Sequence, residues 1–374
     1  MKQISSLLLA LVMCLSLLAA CGKTDAPAPI ATPTPEVTAT PEATPEFAVD
    51  VEPELPAFLT FTDDAGRTVE LPTELTRISP SGPLAQMYLL AIAPELLATS
   101  ASNYSVEDAN YIPDSVLGLP VVGAFYGSDD LNYESIAAIG TEIVIDIGEP
   151  KKTIVEDMDT ITTNLAIPAV HITATLNSSP DAFRTLGKIL GREERGEELA
   201  VFCERILTKT NTMIAGVGTG KASALCLVGE SGLNVLAATS FHSEVIDLMT
   251  DNLAVLESPS SKGSGNETDF EQISVWNPEV IIFAPDSAYA TVADDPTWNT
   301  LDAIASGSYY EIPSGPYNWM ANPPSINRYL GMIWLGYILY TGDYADFSAD
   351  VTEYYRLFYS YDLTPAEIST FLGE

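Results

Sequence analysis

Residues able to do chemistry are few in this sequence, and their spacing is wrong for most of it. His171 and His242 are the only histidines among 374 residues and fall in different halves of the chain. Neither a paired-histidine metal site nor a cysteine–histidine nucleophile can be argued from such spacing. His171 lies in the strand-like run AVHIT and reads as a core residue. His242 follows LAATSF at a loop-to-helix junction, where it can meet a ligand. The serine of GESGL misses the Gly-x-Ser-x-Gly nucleophile pattern. The glycines of GVGTGKAS have the wrong spacing for a phosphate loop and follow a helical stretch instead of a strand. No nucleophile and base can be paired, so binding without turnover is the expected chemistry, with no catalytic residue, metal or cofactor.

Recognition groups, by contrast, are concentrated in loops. The stretch SGPYNWMANPPSINR carries three prolines with Tyr317, Asn318, Trp319, Asn322, Asn327 and Arg328, and can be neither a regular helix nor a regular strand. Arg328 is conspicuous because Lys262 and Arg356 are the only other basic residues after Lys221. Its guanidinium could grip a carboxylate or oxyanion bidentately, or pair with a local acid at a helix start. In SPSGPLAQ, Ser81 and Gly82 stand at a strand-to-helix turn, where free amides and the helix dipole favour anions. GAFYGS supplies Phe125 and Tyr126, and GEPKKT supplies Lys151 and Lys152 just past a strand end.

The elements that must position these groups alternate short apolar strands with longer helical stretches, the pattern of α/β domains with largely parallel sheets. In the first half, strands are expected at RISP, LLAT, EIVIDI and AVHIT; in the second, at SALCLVG, VLAAT, EVIIFAP and YYEIPS. FLTFTDDAGRTVELP reads as two strands around an Asp-Ala-Gly turn. Between the halves, the helical pattern that starts at Pro180 predicts one long helix of some thirty residues over 179–217. The halves echo each other: LNYESIAAIGTEIVIDIG and TDFEQISVWNPEVIIFAP each run from an acidic residue through a short helix to a buried strand. Each is followed by a loop at the strand's carboxyl end, GEPKKT or APDSAYA, where open α/β sheets place ligands.

Composition bounds the partners. With 47% hydrophobic residues the chain can fill one large or two medium cores. Its formal charge of −35, from 51 acidic against 16 basic residues, repels nucleic acids and anionic membrane surfaces. The amino terminus has its own logic. Lys2 precedes an apolar run from Leu8 to Ala20, too short for a comfortable membrane span and shaped like a secretory signal. Ala19-Ala20-Cys21-Gly22 resembles a bacterial lipobox. It implies cleavage of residues 1–20, lipid on Cys21 and stable anchoring through two acyl chains. Residues 21–56, rich in Pro, Thr and Glu, then form a disordered tether, followed by lobes at 57–178 and 218–374. Cys14 leaves with the signal; Cys203 and Cys226 read as small buried hydrophobes, with a disulfide between them possible.

Taken together and in order, FTDDAGRTVELPTELTRIS, SGPLAQMYLLAIAPELLAT, the two lobe motifs and NPPSINRYLGMIWLGYILY make residues 58–372 similar to a known family. These are the substrate-binding lipoproteins of ABC importers for iron-siderophore complexes, haem, cobalamin and related metal chelates. The resemblance implies two Rossmann-like α/β lobes joined by the long helix, with the ligand in the cleft between them. It also implies a monomer that serves a permease dimer. By the same resemblance Glu134 and Glu271 dock onto arginines of the permease. Tyr317 and Trp319 would offer flat faces to the ligand, and Phe125 and Tyr126 would stand where cobalamin-binding relatives place an aromatic. Tyr126, Tyr289 or His242 could serve as a haem ligand. The arginine clusters of catecholate binders are missing, so the ligand stays open among an iron(III) chelate, cobalamin, haem, a nickel complex and molybdate or tungstate. A ligand sensor is the reading from another class.

Overall fold

The computed structural model describes residues 58–285 and 287–373. The expected signal peptide, lipidation at Cys21 and tether fall on residues outside those described.

Strands β1 (Phe58–Thr62) and β2 (Thr68–Pro72) pair antiparallel, Thr62 opposite Thr68. Gly66 supplies the positive φ that the turn requires. Asp63 in that turn accepts from the Arg67 amide at 2.8 Å, and the Arg67 guanidinium reaches the Ala169 carbonyl at 2.9 Å. The hairpin is thereby docked on the first parallel sheet. That sheet runs β3 (Ile78–Pro80), β4 (Ile143–Gly148), β5 (Ala169–Thr173), with all six residues of β4 buried. Such a run needs cover on both faces. Helix α1 (Pro83–Ile92) and later helices cover one face; α2 (Tyr133–Ile139) and α3 (Ile154–Leu165) cover the other, around Ile136, Met158 and Ile161.

The expected connecting helix is two helices, not one. Helix α4 (Ser179–Leu190) stops at Gly191, which takes a left-handed φ of 62°, and α5 (Glu193–Val217) starts afresh. The two then pack against each other through glycines. A Cβ at Gly196 would stand 2.6 Å from the Phe183 carbonyl and 3.2 Å from the Gly187 Cα. Periodicity cannot see such a fold-back, because both helices keep the same apolar spacing. Gly196→Ala is expected to lower stability by about 1–3 kcal/mol through overpacking. Chemical denaturation reads this directly, and an unchanged midpoint would mean that the helices part freely.

The second sheet is ordered β11 (Tyr309–Glu311), β10 (Val280–Phe283), β6 (Ser223–Val228), β7 (Asn234–Val235), β9 (Asn266–Glu267), and β8 (Asp251–Asn252) also pairs with β6. Helix α6 (Glu244–Met249) leads into β8, and α7 (Phe270–Trp276) precedes β10. The internal echo is structural. Helix α2 is capped by Asn132 accepting from the Ser135 amide at 2.9 Å, and α7 by Asp269 accepting from Gln272 at 2.8 Å. Glu142, just before β4, accepts from the amides of Thr76 and Arg77; Glu279, just before β10, accepts from the Ser223 amide. Burial works against the charge on Glu142, but these amides outweigh it and hold the carboxyl below its usual range.

Helices α8 (Arg328–Gly336), α9 (Tyr344–Tyr359) and α10 (Pro365–Thr370) close the chain. One hydrophobic cluster runs from Ile145 and Tyr88 on the first lobe through Phe183 and Phe202 to Tyr329, Trp334 and Phe358. The two α/β lobes therefore share a core, and the described residues fall in one compact unit. Cys203 and Cys226 are both buried and free, and burial pushes Cys226 up to about 12, leaving an inert thiol. No helix among the described residues is long and apolar enough to cross a membrane.

Candidate functional site

The strand ends of the two sheets and the turns that follow them form the walls of a cleft. On the second lobe, His242 lies just before α6. Its Nδ1 is 2.7 Å from the Ala321 carbonyl, which requires the Nδ1–H tautomer. Its other neighbours come from two further segments: a Cβ at Gly263 would be 3.1 Å from His242 Cε1 and 3.0 Å from Asn322 Oδ1. His242, Gly263 and the exposed Asn322 thus meet from three separate loops. Helix α6 is held by Lys221, whose ammonium donates to the carbonyls of Asp247, Leu248 and Thr250 at 3.1–3.2 Å.

Burial lowers the pKa of His242 from its ordinary 6.5, opposed by the Ala321 carbonyl and reinforced by the charges of Lys151 and Arg328. The imidazole is therefore neutral at pH 7. Because the folded value is depressed, the unfolded chain takes up the proton first. The stability from neutral His242 is complete above 6.5 and is lost as pH falls through 6.5 toward the lower folded value. An NMR titration of the two histidines should give His242 a midpoint below 6.5; one at or above it would contradict this placement.

On the first lobe, Lys151 follows β4, and its ammonium pairs with Glu149 at 2.8 Å. Glu149 in turn lines the pocket between the lobes, together with Phe241 and Glu244. Lys152 is exposed. Phe125 and Tyr126 are half-buried and meet edge to face at 5.0 Å. The Tyr126 hydroxyl donates to Asp157 at 2.7 Å, and burial followed by that carboxylate raises its pKa. The phenol is thus held neutral and already engaged. Ser81 is buried, its hydroxyl donating to Asp146, whose other oxygen meets His171 Nδ1 at 2.7 Å. Gly82 abuts Ala124, leaving 3.2 Å for a Cβ. Serine and histidine here form an internal strut of the first lobe. This corrects the expectation that Ser81 faces a ligand.

The proline-rich loop also departs from expectation. Trp319 has no exposed surface, packs on Phe371 at 4.7 Å, and its indole N–H donates to the Tyr355 hydroxyl at 3.4 Å. Tyr317 is buried, its hydroxyl 2.9 Å from that of Tyr104 and bonded to Gln86. Asn318 caps the turn by accepting from the amides of Met320 and Ala321 at 2.8 and 2.9 Å. Arg328 is 1% exposed. None of these four side chains can present itself to a ligand in this arrangement. The loop's apolar side is matched by α9 and α10, and burying an indole there is worth more than leaving it in a wet cleft. Tyr289 rests on Phe283 and Tyr309, at the second lobe's own cluster.

Sequence reasoning missed Glu149, Leu176 and Asn177 on one side, and Phe241 and Glu244 on the other. They line an open pocket of about 330 Å³ between the lobes. Burial raises the pKa of Glu244, Arg328 opposes the rise, and the like charge of Glu149 adds to it. The position of Glu149 just beyond a strand end was the available signal for it; nothing in the sequence singles out Glu244, an acidic residue in the first turn of a short helix.

A sequence profile described as periplasmic binding protein matches residues 82–316, more than half of the chain. The Fe(3+)-citrate-binding protein YfmC of Bacillus subtilis (strain 168) is 20% identical over 184 residues, 48% of this chain and 56% of that protein, so the match spans little more than half of the relative. Among solved structures, an ABC transporter solute binding protein from Sulfurospirillum deleyianum DSM 6946 superposes with a TM-score of 0.77. It shares 27% identity and covers 84% of this chain and 99% of its own. The molybdate-bound MolA of Haemophilus influenzae, 15% identical, superposes with a TM-score of 0.65 over 82% of this chain and 99% of its own, a likeness of fold alone.

Proposed function

Because the chain belongs to the periplasmic binding protein family, we propose that it is a solute-binding protein that captures an iron(III) chelate and hands it to an ABC permease dimer. It does so outside the cytoplasmic membrane, as a monomer tethered through lipid on Cys21. It is not an enzyme, in keeping with its family. The observation that carries the ligand reading is the composition of the cleft. Glu149, Asn177, Ser240, Phe241, Glu244 and Asp247 line it, with no arginine or lysine among the lining residues, while Arg328 is buried and bonded to Glu244. Such walls disfavour a highly charged anion, and among iron(III) chelates of low charge the reading follows the Fe(3+)-citrate-binding relative. They suit a highly charged catecholate complex poorly, since nothing in reach forms an arginine clamp.

Glu134 and Glu271 are exposed at the second position of α2 and α7, the two equivalent helices of the internal echo. One carboxylate on each lobe lets a permease engage both lobes at once. Calorimetric titration of the purified chain with ferric citrate, a ferric hydroxamate, haem, cobalamin, nickel-histidine and molybdate tests the ligand. Saturable binding of an iron(III) chelate at about micromolar Kd or tighter is expected. Binding of molybdate or cobalamin instead would replace the ligand assignment, and silence across the panel in a folded protein would favour a sensor. Tryptophan emission is a poor probe here, because Trp298, Trp319 and Trp334 are buried and the half-buried Trp276 packs on the second lobe's own core.

A further inference from the structure

Arg328 stands at the first position of α8, and its guanidinium is bonded to both lobes. Within the second lobe, Nε donates to the Ser325 carbonyl at 3.0 Å, Nη1 donates to the Glu244 carboxylate, and the plane lies 4.6 Å above the centre of the Phe241 ring. Toward the first lobe, Nη2 reaches the Ala174 carbonyl at 3.4 Å. The same stretch, 174–176, where the chain leaves β5 for α4, is held twice more. The Tyr329 hydroxyl donates to the Leu176 carbonyl at 2.8 Å, and the Leu176 amide donates to Glu244 at 3.4 Å.

Glu244 opens α6, immediately after the turn that carries Phe241 and His242, and both Glu244 and Leu176 line the pocket between the lobes. A buried ion pair is often no more stabilising than apolar residues of the same shape. Directional bonds to the backbone of a second lobe are what apolar residues could not supply. The pocket also holds a source of opening force: Glu149 on the first wall bears the same charge as Glu244 on the second. Arg328 offsets that repulsion from beneath.

We propose that the Arg328–Glu244 pair is an interlobe latch, a pair of positioning residues that fixes the gap between the Glu149 and Phe241 walls of the pocket and so pre-organises the cleft for its ligand. The latch itself needs only the geometry; its effect on affinity rests on the binding function proposed above. A ligand that meets walls already at their bound spacing loses less freedom on binding.

The test measures wall spacing by double electron–electron resonance between spin labels at two exposed sites, Val155 on the first lobe and Val275 on the second. Cys14 and Cys21 are replaced by Ser; Cys203 and Cys226 are buried and do not label. Glu244→Gln keeps the shape and an acceptor, so it folds even if Arg328→Met does not, and Arg328→Lys keeps the charge but loses the fork. In Glu244→Gln the distance distribution should widen toward longer values and the affinity for ferric citrate should fall about tenfold or more, as expected for loss of a charged hydrogen bond. Arg328→Lys should lie between the wild type and Arg328→Met. An unchanged distribution overturns the latch, whether or not affinity falls; a fall alone would make Glu244 a ligand contact. A wider distribution in a protein that binds no ferric citrate would uphold the latch and reject the ligand assignment.

Discussion

Trp319→Ala should cost about 3–5 kcal/mol of folding stability, the usual range for removing a large aromatic from a core. The indole is fully enclosed between Phe371 and Tyr355. The backbone beside it leaves no slack: a Cβ at Gly331 would lie 2.8 Å from the Trp319 carbonyl and 2.5 Å from Met320 Cγ. Such surroundings cannot collapse to fill the cavity, which puts the cost at the upper end. The indole N–H to Tyr355 is lost as well, though the Tyr355 hydroxyl keeps a partner in the Gly315 carbonyl. Urea denaturation measures the loss, with Trp319→Phe expected to be markedly milder. The affinity of the fraction that remains folded should be close to that of the wild type. A tenfold loss of affinity at unchanged stability would instead put the ring against the ligand.

Uptake should collapse when Glu134 and Glu271 are both changed to alanine, while ligand affinity measured on the purified chain stays the same. Both side chains are exposed, on helices whose caps are supplied by Asn132 and Asp269, so neither contributes to the fold beyond a favourable place in the helix dipole. Losing charged partners at an interface typically costs about 2–5 kcal/mol where the contact is desolvated, enough to reduce transport more than tenfold. Each single variant should lose part of the transport, because the proposed docking places one equivalent contact on each lobe. Import into proteoliposomes or cells reads the effect, and normal uptake by the double variant would remove the docking assignment.

Much of this molecule was legible in its residue order. Strands β3, β4, β5, β6 and β10 stand where short, mainly apolar runs occur, because a strand covered on both faces must be largely apolar, and the edge strand β11 falls at the Tyr-Tyr run of YYEIPS. The echo between YESIAAIGTEIVIDIG and FEQISVWNPEVIIFAP is a real repeat, down to Glu142 and Glu279 anchoring the neighbouring strand in each lobe. The shortage of catalytic groups pointed toward binding without turnover, and the family is one of binding proteins. Runs whose partners are weak fared worse: LLAT contributes a single bridge from Leu97 to Ile78, and VLAAT only Val235 to a strand.

What the residue order could not determine is which way a loop turns. Tyr317, Trp319 and Arg328 looked like ligand contacts because aromatics and a lone arginine in a loop have the chemistry for it. Their burial depends on α9 and α10, which follow them in the chain, and on Gln86 and Ala174 in the other lobe. The break at Gly191 and the placing of Glu244 against Arg328 are decisions of the same kind. Local pattern determines an element, since backbone geometry and burial period are local quantities. Which face of a loop or charge is covered depends on the free energy of contacts between segments far apart in sequence, and only the assembled tertiary structure sets those.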